Sequence, residues 1–480
     1  MDANTVLLFL SLLFGFYMAW SIGANDVANA MGTSVGSGAL TLRRAVILAA
    51  ILEFAGAFLV GSHVTETIRS GIIDPQLFAE DPMRLVCGML AALLAAGAWL
   101  QLASYFGWPV STTHSIVGAI VGVGAVAYGL DAVDWGWSGM SGIVLSWVIS
   151  PLLAAAISYL IFQLLLRFIF YAPLPAVAAR RATPALVFLV FFVMSLVTVY
   201  KGLGSLKLDQ LPGTYAVAIA AGVGLAAAGL STLLVNRLRQ PTPAELGPEY
   251  ARDNLRSLER AMRHLRRVQL AGDAQTATEA GRILQEMRSL SQRTEVALAQ
   301  AQDPVSGSNA YRDVERVFVL LQIVSACFVA FAHGANDVAN AIGPLSAVIQ
   351  TLQTGEIYAK AQASAGILAL GGVGIVVGLA TWGWRVIQTI GKRITELTPS
   401  RGFAAEFGAA TTIVVASKLG LPISTTHTLV GAVLGVGLAR GIGALNLNTL
   451  RDIIASWLIT IPAGAGLAII FYYILVMIFL

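Results

Sequence analysis

Two short patterns in this chain combine oxygen-bearing side chains at spacings suited to ion chemistry. GANDVANA runs from Gly23 to Ala30 and returns from Gly334 to Ala341. The first copy offers Asn25, Asp26 and Asn29; the second offers Asn336, Asp337 and Asn340. Carboxylate and amide oxygens are hard ligands that suit a hard cation such as Na⁺. An Asp at the centre of a bilayer costs roughly 2.5–3.5 kcal/mol on insertion scales, so such a residue faces a cavity or a partner. Gly23 and Gly334 are expected to break the helix there and free backbone carbonyls for the same shell. A structural Asn/Asp cap is the competing reading.

The second pattern is PVSTTHSIVGAIVGVG at 109–124, which returns as PISTTHTLVGAVLGVG at 422–437 with eleven of sixteen positions identical. Proline disfavours helix in the residue before it, and Ser-Thr-Thr suits a helix N-terminus. Ser111, Thr112 and Thr113, with Ser424, Thr425 and Thr426, would then gather hydroxyls and free backbone N–H groups at the positive ends of two helices. That is an oxyanion site, or else an ordinary capped helix start. Gly118, Gly122 and Gly124 allow close helix packing. His114 and His427 end each Ser-Thr-Thr run and could orient the loop, carry a proton or bind a metal. No second Cys or His stands at zinc-ligand spacing nearby. His333 precedes only the second GANDVANA, with Ile22 in the first, and receives no shared role.

Glu53 and Glu406 are two further acids in apolar stretches, and they do not match by repeat offset. Ser364 stands where a counterpart of Glu53 would be, and Leu93 where one of Glu406 would be. Four such acids, with no Lys or Arg beside the Ser-Thr-Thr runs, would repel an anion unless cations or protons accompanied it. Coupled cation–anion symport removes that conflict.

The elements that must position these residues are membrane helices. Of 480 residues, 57% are hydrophobic and 12% charged, with a mean hydropathy of +0.76. Apolar runs near 5–22, 45–61, 85–104, 114–130, 139–170, 184–203, 214–235, 317–332, 362–384, 403–420, 427–441 and 453–480 approach spanning length. The expected fold is therefore all-α and polytopic, with about 12 spans. The ten-residue alternation of a β-barrel is missing. The first span, led by MDANT, is not read as a signal peptide. Cys87 and Cys327 lie in apolar runs and imply no disulfide framework. The net charge of +4 gives no case for nucleic acid.

Residues 236–316 stand apart, with thirteen arginines, no lysine and eleven acids. Leu255, Leu258, Met262 and Leu265, then Ile283, Met287 and Leu290, predict a soluble helical hairpin around the turn at 271–273. The expected division is 1–235 as the first membrane repeat with its following spans, 236–316 as a charged insert and 317–480 as the second repeat. Arg43, Arg44, Arg180, Arg181, Arg237, Arg239, Arg312, Arg316, Arg385, Lys392, Arg393 and Arg401 set against the acids of 61–84 put the insert in the cytoplasm and the termini outside. Both motifs recur in the same order at offsets of 311 and 313, so the chain is an internal duplication. Span counting gives the halves opposite orientations, and inverted repeats mark secondary transporters with a substrate site at the repeat interface. A passive channel or a membrane hydrolase is the alternative, although no nucleophile–base–acid set is visible.

From Gly23 to about Arg440, the insert aside, these paired motifs resemble the inorganic phosphate transporter (PiT) family of sodium- or proton-coupled permeases. The resemblance implies inverted repeats with re-entrant helical hairpins, a homodimer in the plasma membrane and an elevator-like movement. It implies no cofactor beyond the travelling Na⁺ or H⁺. Asp26, Asn29, Asp337, Asn340, Glu53 and Glu406 would serve Na⁺. Asn25, Asn336 and the two Ser-Thr-Thr runs would cradle phosphate, supported by Gly23, Gly334, His114 and His427. Met89 stands where some animal members carry an acid. The family also includes sulfate permeases, so a proton-coupled permease for phosphate or sulfate is the alternative.

Overall fold

The computed structural model describes residues 3–61, 72–137, 139–172, 174–201, 212–236, 258–271, 273–300, 309–357, 363–393, 395–418, 423–441, 443 and 445–480. Arg237, Arg239, Leu255 and Pro422, named above, lie outside them, as do residues 62–71 of the acidic stretch 61–84. The described chain is helical. In order the helices are α1 (Ala3–Gly36), α2 (Leu42–Val60), α3 (Pro82–Phe106), α4 (Thr112–Tyr128), α5 (Met140–Leu165), α6 (Pro175–Lys201) and α7 (Gly213–Asn236). They continue as α8 (258–271), α9 (Ala274–Gln300), α10 (Asn309–Thr354), α11 (Ala365–Thr381) and α12 (Trp384–Arg393). The last are α13 (Pro399–Lys418), α14 (Thr425–Ala439) and α15 (Leu447–Phe479). Among the described residues, seven helices are long and apolar enough to cross a membrane, and three shorter apolar helices are α4, α11 and α14. This is a polytopic membrane protein.

Contacts divide the chain into two compact units. One comprises Met1–Leu166, Pro184–Gly229 and Phe318–Leu480, and it holds both copies of both motifs. The other comprises Arg167–Thr183 and Leu230–Val317. Within the second unit, α8 and α9 follow one another, and a Cβ on Gly281 would lie 3.1 Å from the Gln269 side chain. The N–H of Thr276 donates to Oδ1 of Asp273 at 2.8 Å, which starts α9. Hydrogen bonding from the Thr276 side chain, and then from its N–H, favours the ionised carboxylate and holds the exposed Asp273 below its ordinary pKa.

In the first unit, both GANDVANA copies lie within unbroken helices. Gly23 is inside the 34-residue α1 and Gly334 inside the 46-residue α10. The expected helix breaks at these glycines are therefore not found. What the glycines provide is close approach. A Cβ on Gly23 would sit 1.9 Å from the Ile375 carbonyl oxygen, and one on Gly334 would sit 2.2 Å from that of Glu53. The facing helices return the arrangement. A Cβ on Gly56 would meet the Phe331 oxygen at 2.0 Å, and one on Gly378 the Trp20 oxygen at 1.9 Å. So α2 crosses α10 and α11 crosses α1, each repeat's second helix lying on the other repeat's first. This places Ile375, not Ser364, as the structural counterpart of Glu53.

The Ser-Thr-Thr helices are docked by the same means. Gly118 and Gly122 bring α4 onto the Ile461 and Ala465 backbone of α15, while Gly431 and Gly435 bring α14 onto Pro151 and Ala155 of α5. The close packing expected at Gly118 and Gly122 is present.

Adding a side chain at these crossings must separate helices that carry the site. Overpacking of this kind typically costs about 1–3 kcal/mol. Gly334→Val is expected to lower the thermal unfolding temperature in detergent or to prevent a monodisperse preparation. Gly222→Ala, where a Cβ meets nothing within 4 Å, should leave both unchanged.

Candidate functional site

The capping chemistry read from Ser-Thr-Thr is realised in both copies. Oγ of Ser111 accepts the His114 N–H at 3.2 Å and begins α4; Oγ of Ser424 accepts the His427 N–H at 3.2 Å and begins α14. Both serines have extended backbone, as N-caps do. Each cap satisfies one orphan donor of its helix terminus and leaves others available. The two starts touch. The Thr113 hydroxyl donates to the Ile423 carbonyl at 3.3 Å, and the Thr426 hydroxyl donates to the Val110 carbonyl at 3.1 Å.

GANDVANA grips these helix starts crosswise. Nδ2 of Asn29, in the first repeat, lies 2.8 Å from Oγ1 of Thr426 and 3.4 Å from Oγ1 of Thr425 in the second. Nδ2 of Asn340, in the second, lies 3.3 Å from Oγ1 of Thr112 and 3.5 Å from Oγ1 of Thr113 in the first. The acids sit in the same layer. Thr426 Oγ1 is 3.3 Å from Asp26 Oδ1, and Thr425 Oγ1 is 3.0 Å from Asp337 Oδ2. Asn25 uses its amide to hold the approach to α4. It donates to Ser104 and to the Trp108 carbonyl, both at 3.0 Å, and accepts the Val110 N–H at 3.2 Å. Asn336 donates to Asp337 Oδ1 at 2.8 Å.

Sequence reasoning passed over His333. Its ring is buried, with Nε2 2.8 Å from Asp337 Oδ2 and 4.0 Å from Asp26 Oδ2, and Nδ1 3.4 Å from Glu53 Oε1. Asp26, His333 and Asp337 offer ligand atoms within 4.8 Å of one another, close enough to share one cation. The available signal was spacing: His333 lies four residues before Asp337, one turn away on the same helix face.

Glu53 joins this cluster, and Glu406 does not. Oε1 of Glu406 accepts from Thr33 at 2.6 Å, Ser34 at 2.8 Å and Gln322 at 3.2 Å, while Oε2 accepts from Ser325. Thr33 and Ser34 lie at the end of α1, beyond GANDVANA, and Gln322 and Ser325 precede the motif on α10. The four acids thus form a central group of three and a separate carboxylate ringed by hydroxyls and one amide. All four are fully buried.

A layer of buried carboxylates, amides and hydroxyls at two opposed helix starts can hold small ions of both signs. Comparison with known proteins identifies one class of cargo. The Phosphate transporter family profile matches residues 22–468. The chain belongs to the phosphate transporter family. Its relatives include a protein of Arabidopsis thaliana named inorganic phosphate transporter 2-1, chloroplastic. That protein is 46% identical over 471 residues, which cover 98% of this chain and 72% of the relative. A Chlamydia pneumoniae protein provisionally named a phosphate permease is 44% identical over 476 residues, 97% of this chain and 98% of its own. A solved structure titled the sodium-dependent phosphate transporter superposes with a TM-score of 0.77 at 36% identity. It covers 98% of this chain and 100% of that one. The family is one of transporters, so the membrane-hydrolase reading falls away.

Within this transporter the Ser-Thr-Thr hydroxyls can be tested directly. Hydrogen bonds to charged groups contribute about 1.5–3 kcal/mol each. Ser424→Ala combined with Thr425→Val is expected to weaken apparent phosphate affinity by roughly tenfold or more. Concentration-dependent uptake into reconstituted vesicles measures this; an unchanged half-saturation would mean that the start of α14 does not contact phosphate.

Proposed function

We propose that the chain is a Na⁺-coupled symporter that imports inorganic phosphate across the plasma membrane. The observation that carries this reading is the contact of Asp26 and Asp337 with the Thr426 and Thr425 hydroxyls at the Ser-Thr-Thr helix starts. Phosphate at those starts would lie beside two carboxylates, and like charges at a few ångströms cannot share a dry site unaided. A cation between them converts repulsion into mutual attraction, so that each ion raises the affinity for the other. Reciprocal coupling of this kind is what a symporter needs.

In this reading Ser111, Thr112, Thr113, Ser424, Thr425 and Thr426 cradle phosphate, with Asn25 and Asn336 as further polar groups. Asp26, Asn29, Asp337, Asn340 and Glu53 serve Na⁺ at the centre. Glu406, with its ring of hydroxyls, serves a cation apart from it. The domain reading is 1–235, 236–316 and 317–480, with the two membrane repeats inverted, the insert cytoplasmic and the termini outside. The crossed packing of α2 on α10 and α11 on α1 supports a two-fold relation between the repeats. A homodimer working by an elevator-like movement completes the proposal. The solved neighbour's title, which names sodium dependence, supports the choice of cation for this chain.

Proton coupling is the second reading, favoured by a titratable imidazole, His333, among three carboxylates. Vesicles with imposed Na⁺ or proton gradients separate the two. Phosphate accumulation driven by Na⁺ alone is the expected result. Asp26→Asn or Asp337→Asn should abolish that accumulation in protein that still purifies folded; normal Na⁺-driven uptake by either variant would exclude the cation assignment. Sulfate in excess should leave labelled phosphate uptake unchanged, and strong competition would widen the substrate class to oxyanions at large.

A further inference from the structure

Directly behind the two Ser-Thr-Thr starts lies a cluster of four aromatic rings. The rings of His114 and His427 meet edge to face, with centroids 4.2 Å apart and planes at 79°. His114 also lies against Trp147 of α5, centroids 3.8 Å apart, and His427 against Trp457 of α15, 3.6 Å apart at 24°. Both histidines are buried.

Each tryptophan touches both motifs. Trp147 places its ring against His114, and its backbone is hydrogen-bonded by the His427 side chain. Trp457 stacks on His427, and its indole N–H donates to the Pro109 carbonyl at 3.4 Å, at the head of the first motif. The four rings therefore join α4, α5, α14 and α15. They do so one turn or less from the hydroxyls of both helix starts.

The histidines contribute ring faces and backbone more than polar atoms. Neither nitrogen of His114, nor Nε2 of His427, has a hydrogen-bond partner among the described residues. The backbone N–H of each histidine is meanwhile the one that its Ser cap accepts. A shift of either ring moves the cap and the two threonines between cap and ring.

We propose that the rings of Trp147, His114, His427 and Trp457 fix the separation of the two Ser-Thr-Thr helix starts. They are thereby positioning residues that set the width of the oxyanion cradle and its preference among tetrahedral anions. The inference rests on the phosphate-cradle reading above and adds to it what holds the cradle's two halves in register. Displacements of about 1 Å in a positioned site can cost roughly a hundredfold, so a spacer of this kind acts strongly on recognition.

The test compares His114→Phe with His427→Phe, which keep aromatic faces, against His114→Ala with His427→Ala, which remove them. Both pairs are reconstituted with the parent protein in vesicles under a Na⁺ gradient. The alanine pair is expected to raise the phosphate KM about tenfold or more and to let sulfate compete, with maximal velocity changed less than threefold. The phenylalanine pair is expected to stay within about threefold of the parent in KM and to keep sulfate excluded. A phenylalanine pair as impaired as the alanine pair would overturn the proposal and return the role to the imidazole nitrogens. So would an alanine pair with unaltered KM. Should the alanine pair fail to fold, the phenylalanine KM alone decides, by the same limits. Uptake by the parent protein in the same vesicles tests the underlying phosphate reading separately, so the two failures stay distinguishable.

Discussion

The structure is organised by one electrostatic constraint: carboxylates enclosed in an apolar helical protein, beside the capped starts of two helices. Asp26, Asp337 and Glu53 lie together, fully buried, with His333 as the ionisable base among them. A buried charge of either sign is costly unless it is paired, and removing one partner of such a group leaves the rest exposed to the full penalty. The neighbouring helix starts bring positive dipole ends, hydroxyls and amide N–H groups to the same place. The protein therefore presents a polar layer whose balance depends on ions of both signs.

Maintaining such a layer inside a membrane protein requires the helices to approach closely and to stay in register. Backbone-to-backbone crossings at Gly23, Gly56, Gly334 and Gly378 supply the approach. Hydrophobic driving force between helices is weak in lipid, so contacts of this type and interhelical hydrogen bonds carry the association. The Asn29–Thr426 and Asn340–Thr112 bonds supply the register. Precision in the polar layer and density in the surrounding packing are thus one requirement met by the same helices.

Much of this was legible from residue types and spacing. The Ser caps, the threonines behind them and the paired Asn and Asp all followed from two repeated motifs, because a duplicated pattern restricts what each residue can be doing. The failures have physical causes. Glycine inside a buried helix was read as a break, whereas in lipid it more often marks close contact, as at Gly23 and Gly334. Repeat offsets paired Glu53 with Ser364, yet packing pairs it with Ile375, since α10 runs on to Thr354 before the chain turns back. His333 has no counterpart to mark it, since its partner position holds Ile22. Symmetry in the sequence found the shared frame and concealed the one residue that departs from it. The tryptophans behind the histidines stand in SWVIS at 146–150 and SWLIT at 456–460, 33 and 30 residues after His114 and His427; that repeat marks the pair, but only the fold shows that their rings meet the histidines.

The crosswise bonds carry a historical implication. Neither repeat can complete its own half of the polar layer, since Asn29 needs the second repeat's threonines and Asn340 needs the first's. Two separate copies of a single repeat could satisfy all of them at once, with residue i of one meeting residue j of the other and j meeting i. That is the signature of an isologous dimer interface. The centre of this chain is bonded as such an interface is, within a single polypeptide. His333 opposite Ile22 is a difference that two identical subunits could not hold and that a duplicated chain can.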